Sequence, residues 1–255
     1  MSDPQGLAFA ALAEDYDLGR APWPPEMLDG IDAECVLDLA AGTGKLTALL
    51  AERFASVVAV EPLPEMRAVL QRNVPEVRAV AGTAEQIPLD DAFVDAVFVA
   101  DAFHWFDSEL AAHEIERVLR PRGWLVVCFA EWRRGFQPGL EPEARARLEE
   151  VRSRLPSPGG AKIQSGLWRQ GLRAFEPLEE LAFDHDWVTD AEGVAAYYVS
   201  FSSMGSLPED ERIRLRQQLV GLLPNVRHRL ALRTRVYRGR RPGTERRQSH
   251  SSASG

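Results

Sequence analysis

The sequence predicts an α/β fold: a doubly wound, mostly parallel sheet with helices on both faces. Three observations predict it. Short β-branched or apolar runs alternate with helical stretches from residue 35 to 131, which is the pattern of βαβ units feeding a parallel sheet. The first of these runs ends in a small-residue turn that opens a helix. Two more strand patterns follow after a region of different character. The 255 residues suffice for one large α/β domain with a subordinate lobe. With 45% hydrophobic and 27% charged residues, the composition excludes collagen, coiled coil and wholesale disorder.

In chain order, the expected strands of the first half are Cys35–Leu39, Ser56–Val60, Val77–Val80, Val94–Val99 and Trp124–Phe129. Helices are expected at about Leu46–Phe54, Pro64–Asn73 and Ser108–Leu119. The last carries apolar residues at Leu110, Ile115, Val118 and Leu119. After Trp132 the Arg/Glu-rich segment Glu141–Arg154 reads as a solvated helix, and the Pro/Gly-rich run from Leu155 breaks it. Leu178–Trp187 then reads as a strand, Asp190–Ser202 and Pro208–Leu223 as helices, and Leu230–Arg238 as the final strand. The sum is a Rossmann-like sheet of seven strands with a small lid or insert after the fifth. The expected organisation is a cap or lid at residues 1–34, one domain at 35–241 divided at residue 131, and a disordered tail at 242–255, where apolar anchors run out.

Cys35 and Cys128 both lie in apolar strand-like runs and read as free core thiols. No basic start followed by an apolar stretch and no apolar run of membrane-spanning length is present, so the expected location is cytoplasmic. The net charge of −8 conceals a basic end: residues 211–255 hold twelve Arg and two Glu. Arg alternating with apolar residues from Leu230 reads as the solvated face of a strand, because the acidic remainder would repel a polyanion. No nucleic-acid, membrane or metal partner is expected.

The strongest local signal is Val36-Leu-Asp-Leu-Ala-Ala-Gly-Thr-Gly-Lys-Leu-Thr, an apolar strand running into a turn at Gly42 and Gly44. Those glycines allow close backbone approach, and the helix behind them presents free N–H groups. A dinucleotide site obeys the same logic. Two details favour a ligand with an ammonium group and a ribose instead, namely adenosylmethionine: Thr47 occupies the place of a third glycine, and Asp38 would repel a pyrophosphate. About twenty residues on, Glu61 ends the second strand, where a carboxylate can accept hydrogen bonds from both ribose hydroxyls.

Leu37-Asp-Leu-Ala-Ala-Gly-Thr-Gly, Val58-Ala-Val-Glu-Pro, Ala81-Gly-Thr-Ala-Glu-Gln-Ile-Pro-Leu and Arg117-Val-Leu-Arg-Pro-Arg-Gly-Trp-Leu follow one another in a familiar order and spacing. In these motifs the chain resembles the class I S-adenosylmethionine-dependent methyltransferases of the type-11 group, from Tyr16 to about Arg241. Tyr16-Asp-x-x-Arg-x-Pro-Trp-Pro and Phe103-His-Trp-Phe are similar to the subset that includes trans-aconitate methyltransferase. The resemblance implies that Asp38, Ala40, Gly42 and Gly44 surround the methionine moiety, with Ala100 closing that side. Glu61 would hold the ribose, Pro62 and Met66 flank the adenine, and Thr83 and Ala84 edge its amino group. Tyr16, Arg20 and Trp23 would belong to a lid over the pocket. Thr83 departs from the pattern, since an acid often stands there.

Methyl transfer needs orientation and desolvation more than an elaborate triad. The chain lacks the Asn/Asp-Pro-Pro-Tyr and Pro-Cys features of many DNA-base methyltransferases, so a small-molecule acceptor is expected, at a carboxylate or hydroxyl oxygen before nitrogen or carbon. His104 and Trp105 follow the fourth strand at the edge where open α/β sheets bind ligands. His104 is the candidate base for a hydroxyl or a positioning group for a carboxylate acceptor, with a loop anchor as its structural alternative. Trp105, Trp23 and Trp132 are candidate acceptor contacts, and Trp168 and Trp187 read equally as pocket or core. The competing readings are a cofactor-binding regulatory protein, a nicotinamide-dependent oxidoreductase, and either a monomer or a homodimer.

Overall fold

The computed structural model describes residues 11–133, 142–153, 166–175 and 177–243. Seven strands form a single sheet in the order β3-β2-β1-β4-β5-β7-β6. They are β1 Cys35–Leu39, β2 Ser56–Val60, β3 Arg78–Val80, β4 Val94–Ala100, β5 Leu119–Trp132, β6 Glu179–Thr189 and β7 His228–Arg240. The pairs β1/β2, β2/β3, β1/β4 and β4/β5 are parallel, and β7 runs antiparallel to both its neighbours. The sheet order reverses on either side of β1, which opens a crevice at the carboxyl ends of β1 and β4.

The helices are α1 Ala13–Gly19, α2 Lys45–Arg53, α3 Pro64–Asn73, α4 Ser108–Val118, α5 Pro142–Ser153, α6 Ala191–Val199 and α7 Glu209–Leu222. Parallel strands must be buried on both faces, and here they are. Ala111, Ile115 and Val118 of α4 join Phe103, Phe129 and Phe175 in the core on one face. Leu46 and Leu50 of α2 join Met27, Leu28 and Phe98 on the other. A separate cluster packs α6 and α7 against Trp187, Leu230 and Leu232 near the sheet's antiparallel end. Helix α1 docks on α6, where a Cβ at Gly19 would overlap the backbone nitrogen of Tyr197.

Three expected boundaries move. β5 is longer at both ends than Trp124–Phe129, because Leu119 pairs with Val94 and Trp132 with Leu232. The helix expected at Asp190–Ser202 ends at Val199, with Asp190 as its cap accepting from Gly193 N at 3.0 Å. The last strand, expected at Leu230–Arg238, runs from His228 to Arg240, whose register partner is Trp124. The expected turn at 155–160 and residues 244–255 of the expected tail lie outside the described residues.

Four arginines of the basic end pair with acids within the sheet. Arg229, Arg233 and Arg238 of β7 pair with Asp186, Asp184 and Glu179 of β6 at 2.6, 2.7 and 2.6 Å, and Arg235 pairs with Glu131 of β5 at 2.8 Å. The alternation read from the sequence is therefore a strand face. Cys35 and Cys128 are free thiols. No described helix is long and apolar enough to cross a membrane, and no metal-binding cluster occurs among the described residues.

Candidate functional site: two clefts that share a wall

The turn after β1 is built from left-handed residues: Ala40 at φ 58°, Gly42 at 58° and Gly44 at 89°. Gly44 caps α2, and a Cβ there would come within 3.0 Å of Leu70 Cγ, so this glycine seats the helix against α3. Gly42 differs: an added Cβ would meet only Tyr16 Cε1 at 3.8 Å, so the missing side chain leaves space in a cleft. Beneath the turn, Asp38 is 1% exposed and accepts a 2.6 Å hydrogen bond from the hydroxyl of Thr47. Thr47 thus supports the acid as well as breaking the dinucleotide pattern. Burial pushes the Asp38 carboxyl up to about 7, against the pull of that hydrogen bond.

Glu61 follows β2 and has both carboxylate oxygens engaged, by Leu63 N and Gly42 N at 2.9 Å each. Its pKa is raised by burial and drawn back by those two N–H groups. Arg67 donates to the carbonyls of Glu61 and Pro62 at 2.7 and 2.9 Å, which fixes the loop that carries the acid. Together with Tyr16, Ala40, Met66, Ala100 and Trp105, these residues line a first cleft of about 420 Å³, its open mouth included. Leu63, Asp101 and Ala102 complete it. The size and mostly apolar lining suit a small-molecule site. A carboxylate at the end of β2, an apolar wall at Leu63 and Met66 and a backbone cradle at Gly42 fit a nucleoside bearing an amino-acid chain.

A second cleft of about 560 Å³ adjoins the first. Arg20, Trp23, Lys45, Trp132, His185 and Tyr197 supply most of its side-chain chemistry. The guanidinium of Arg20 lies 4.6 Å from the Tyr16 ring centroid and 5.5 Å from that of Tyr197. Trp132 donates from its indole nitrogen to the Tyr197 hydroxyl. His185 shares a 3.0 Å hydrogen bond with Thr234, and burial lowers its pKa. Tyr16 and Asp101 line both clefts.

Of the residues expected from the sequence, Tyr16, Ala40, Gly42, Glu61, Met66, Ala100 and Trp105 come together around the first cleft, and Arg20, Trp23 and Trp132 around the second. Arg20, expected on the cofactor side, lies on the other. Asp38, Gly44 and Pro62 lie behind the walls as supports. Thr83 forms an isolated bridge with Gln86, and Ala84 is buried in the core. His104 lines neither cleft; its ring packs 4.8 Å from Trp105 and 6.0 Å from Phe129. Trp168 and Trp187 are core residues, each 6% exposed. Asp101, Lys45, His185 and Tyr197 were missed. Asp101 alone had a signal, its place at the end of β4.

This fold and turn define a methyltransferase domain, and residues 37–127 match the family model of that description. A methyltransferase-like protein of Schizosaccharomyces pombe is 34% identical over 221 residues, 83% of this chain and 84% of its own. Malonyl-[acyl-carrier protein] O-methyltransferase of Herminiimonas arsenicoxydans is 30% identical over 208 residues, 78% and 76% of the two chains. An uncharacterized methyltransferase of Mycobacterium tuberculosis is 52% identical over 122 residues; that match spans 47% of this chain and about half, 50%, of the relative. The structure of a protein from Anaeromyxobacter dehalogenans assigned as a type II methyltransferase superposes with TM-score 0.62 at 23% identity, over 88% of this chain and 99% of that one. The chain belongs to the class I S-adenosylmethionine-dependent methyltransferases.

Proposed function

We propose that the protein methylates an oxygen of a small, largely apolar acceptor seated in the second cleft. The observation that carries this reading is the wall shared by the two clefts, since Tyr16 and Asp101 line both. S-adenosylmethionine supplies an electrophilic methyl carbon on a cationic sulfur.

The chain's own residues bind and orient. Glu61 accepts from the ribose hydroxyls, exchanging some of its present N–H contacts for them. Leu63 and Met66 would flank the adenine and the Ala40–Gly42 backbone with Ala100 the amino-acid portion, while Asp38, whose carboxyl sits at about 7, would ionise beneath the ammonium. Tyr16 closes over the junction and excludes water, which strengthens the electrostatics inside. Trp23, Trp132 and Tyr197 give the acceptor an aromatic enclosure that favours planar or aliphatic carbon. The Herminiimonas relative, named for O-methylation of a malonyl group, supports oxygen as the acceptor atom.

The test is calorimetry with S-adenosylhomocysteine followed by a labelled-methyl screen of small alcohols, phenols, acids and amines. Binding with transfer to oxygen is the expected result. Transfer confined to amines would overturn the choice of atom.

A further inference from the structure

We propose that Asp101 is the proton acceptor of the reaction and that the acceptor is consequently a neutral hydroxyl compound. The proposal rests on the O-methylation reading above and assigns it a residue and a substrate class.

Asp101 lies one residue beyond β4 with φ at 49°, a left-handed conformation that L residues adopt at a cost and that Asp tolerates better than most. The cost is met by two bonds to β5. Its N–H donates to Cys128 O at 2.9 Å, and its Oδ1 accepts from Ala130 N at 3.0 Å. Among the described residues the second carboxylate oxygen has no such tie. The strained backbone therefore holds a carboxylate on the wall between the two clefts, where an acceptor's nucleophilic atom and the donor's methyl carbon must meet. His104, three residues on, lines neither cleft.

Charge selects the acceptor class. Two of the described residues lining the second cleft are cationic, Arg20 and Lys45. Lys45 pairs with Asp17 at 3.3 Å, and the positive charge of Arg20 already acts on Asp101. The buried Nε of Arg20 has no hydrogen-bond partner among the described residues and can hold an acceptor oxygen, while the Asp101 anion beside it opposes a carboxylate there. An ammonium would meet Arg20. A neutral hydroxyl suits the site: as its oxygen forms a bond to the donor's methyl carbon, the S–CH₃ bond breaks with its electron pair left on sulfur, and the hydroxyl proton passes to Asp101. One positive charge on sulfur and one negative charge on Asp101 vanish together, and the proton leaves to solvent afterwards.

The surroundings keep Asp101 ready for this. Burial raises its pKa to about 6, Arg20 and the Ala130 N–H hold it down, and Glu131 pushes it up. Tyr16 and Cys128, which also face it, are themselves pushed upward and stay neutral. Asp101 is thus ionised at neutral pH but far more basic than an exposed aspartate.

The test compares wild type and Asp101→Asn, a substitution that keeps the left-handed tolerance and the oxygen for Ala130 N. The probes are phenol, catechol and cinnamyl alcohol, set against benzoate, phthalate and cinnamate, with labelled S-adenosylmethionine. Wild type is expected to methylate the hydroxyl probes, with kcat/KM rising as pH climbs through about 6. Asn should lower kcat by roughly 10²–10⁴-fold and abolish that limb, with S-adenosylhomocysteine still bound and the melting temperature not lowered, because Asn removes a charge that burial disfavours. Carbon-labelled aspartate NMR of the cofactor-free protein should show a carboxyl titrating near 6 that the variant lacks. Methylation of the acids and not the hydroxyls would overturn the proposal and leave O-methylation standing. Retained rate or retained pH limb in Asp101→Asn would overturn the role of Asp101. Transfer to neither probe set would refute the O-methylation reading and the proposal with it.

Discussion

Replacing Asp38 by Asn should flatten the pH dependence of stability in the cofactor-free protein. Asp38 is 1% exposed, and burial carries its carboxyl from an ordinary 3.8 to about 7. A folded pKa above the unfolded one means that the neutral acid is the form the fold prefers. The associated stability is fully present below about pH 4 and is lost as pH rises through about 7. Full ionisation in both states corresponds to a loss of about 4 kcal/mol, of which about 2.5 kcal/mol falls between about pH 5 and pH 8. Asn does not titrate, yet it keeps an oxygen for the Thr47 hydroxyl, which now donates at 2.6 Å. At roughly 2–4 °C per kcal/mol for a chain of this size, wild type should lose about 5–10 °C more than Asp38→Asn across that interval. Calorimetric melting at both pH values measures the difference directly. Parallel pH profiles for the two proteins would show that Asp38 does not hold its proton in the fold, and the argument from burial would fail.

Glu61→Ala removes the acceptor of two N–H bonds, so it should weaken S-adenosylhomocysteine binding by about 1.5–3 kcal/mol and lower the melting temperature too; wild-type affinity in the variant would remove Glu61 from the nucleoside site. Gly19→Ala places a methyl against the Tyr197 backbone, which must shift. A stability loss of about 1–3 kcal/mol is expected, together with weaker cofactor binding because Tyr16 rides on the same helix; an unchanged melting curve would contradict the close packing of α1 on α6. His104→Gln should cost stability through the ring contacts with Trp105 and Phe129 while leaving the pH profile of kcat/KM intact. A rate loss of about 10²-fold or more at unchanged stability would return His104 to the chemistry.

The cofactor half was legible in the sequence because each of its parts obeys a local rule. β1 to α2 is one apolar strand, one turn of small residues and one helix, all inside residues 35–53. Glu61 could be found because a strand end is a local feature and its distance from the turn follows from one βα unit. The same rules name Gly44 and Thr83, which line neither cleft. Glycine in a turn signals either ligand approach or tight packing, and only the neighbouring Leu70 shows that Gly44 serves packing. Thr83 shares the motif's position but pairs with Gln86 away from the cleft walls. His104 drew attention through its side chain, whereas the left-handed backbone that carries Asp101 to the junction has no signature in residue types.

The acceptor side was barely legible, and the reason is geometric. Its side-chain chemistry comes from six separate places: Arg20 and Trp23 before β1, Lys45 at the start of α2, Asp101 just beyond β4, Trp132 at the end of β5, His185 on β6 and Tyr197 on α6. No spacing rule links residues that meet only because β7 inserts between β5 and β6 and turns the last helices back over α1. Cofactor contacts are made largely by a backbone turn and a strand end, which constrain the local sequence. Acceptor contacts are made by side chains, and each can change without disturbing the strand or helix that bears it. A sheet whose first half fixes the donor and whose added strands carry the acceptor wall can therefore keep the site of methyl transfer while its acceptor varies. Within such a design the residues least free to vary are those on both walls, Tyr16 and Asp101, because any change there alters both partners of the reaction at once.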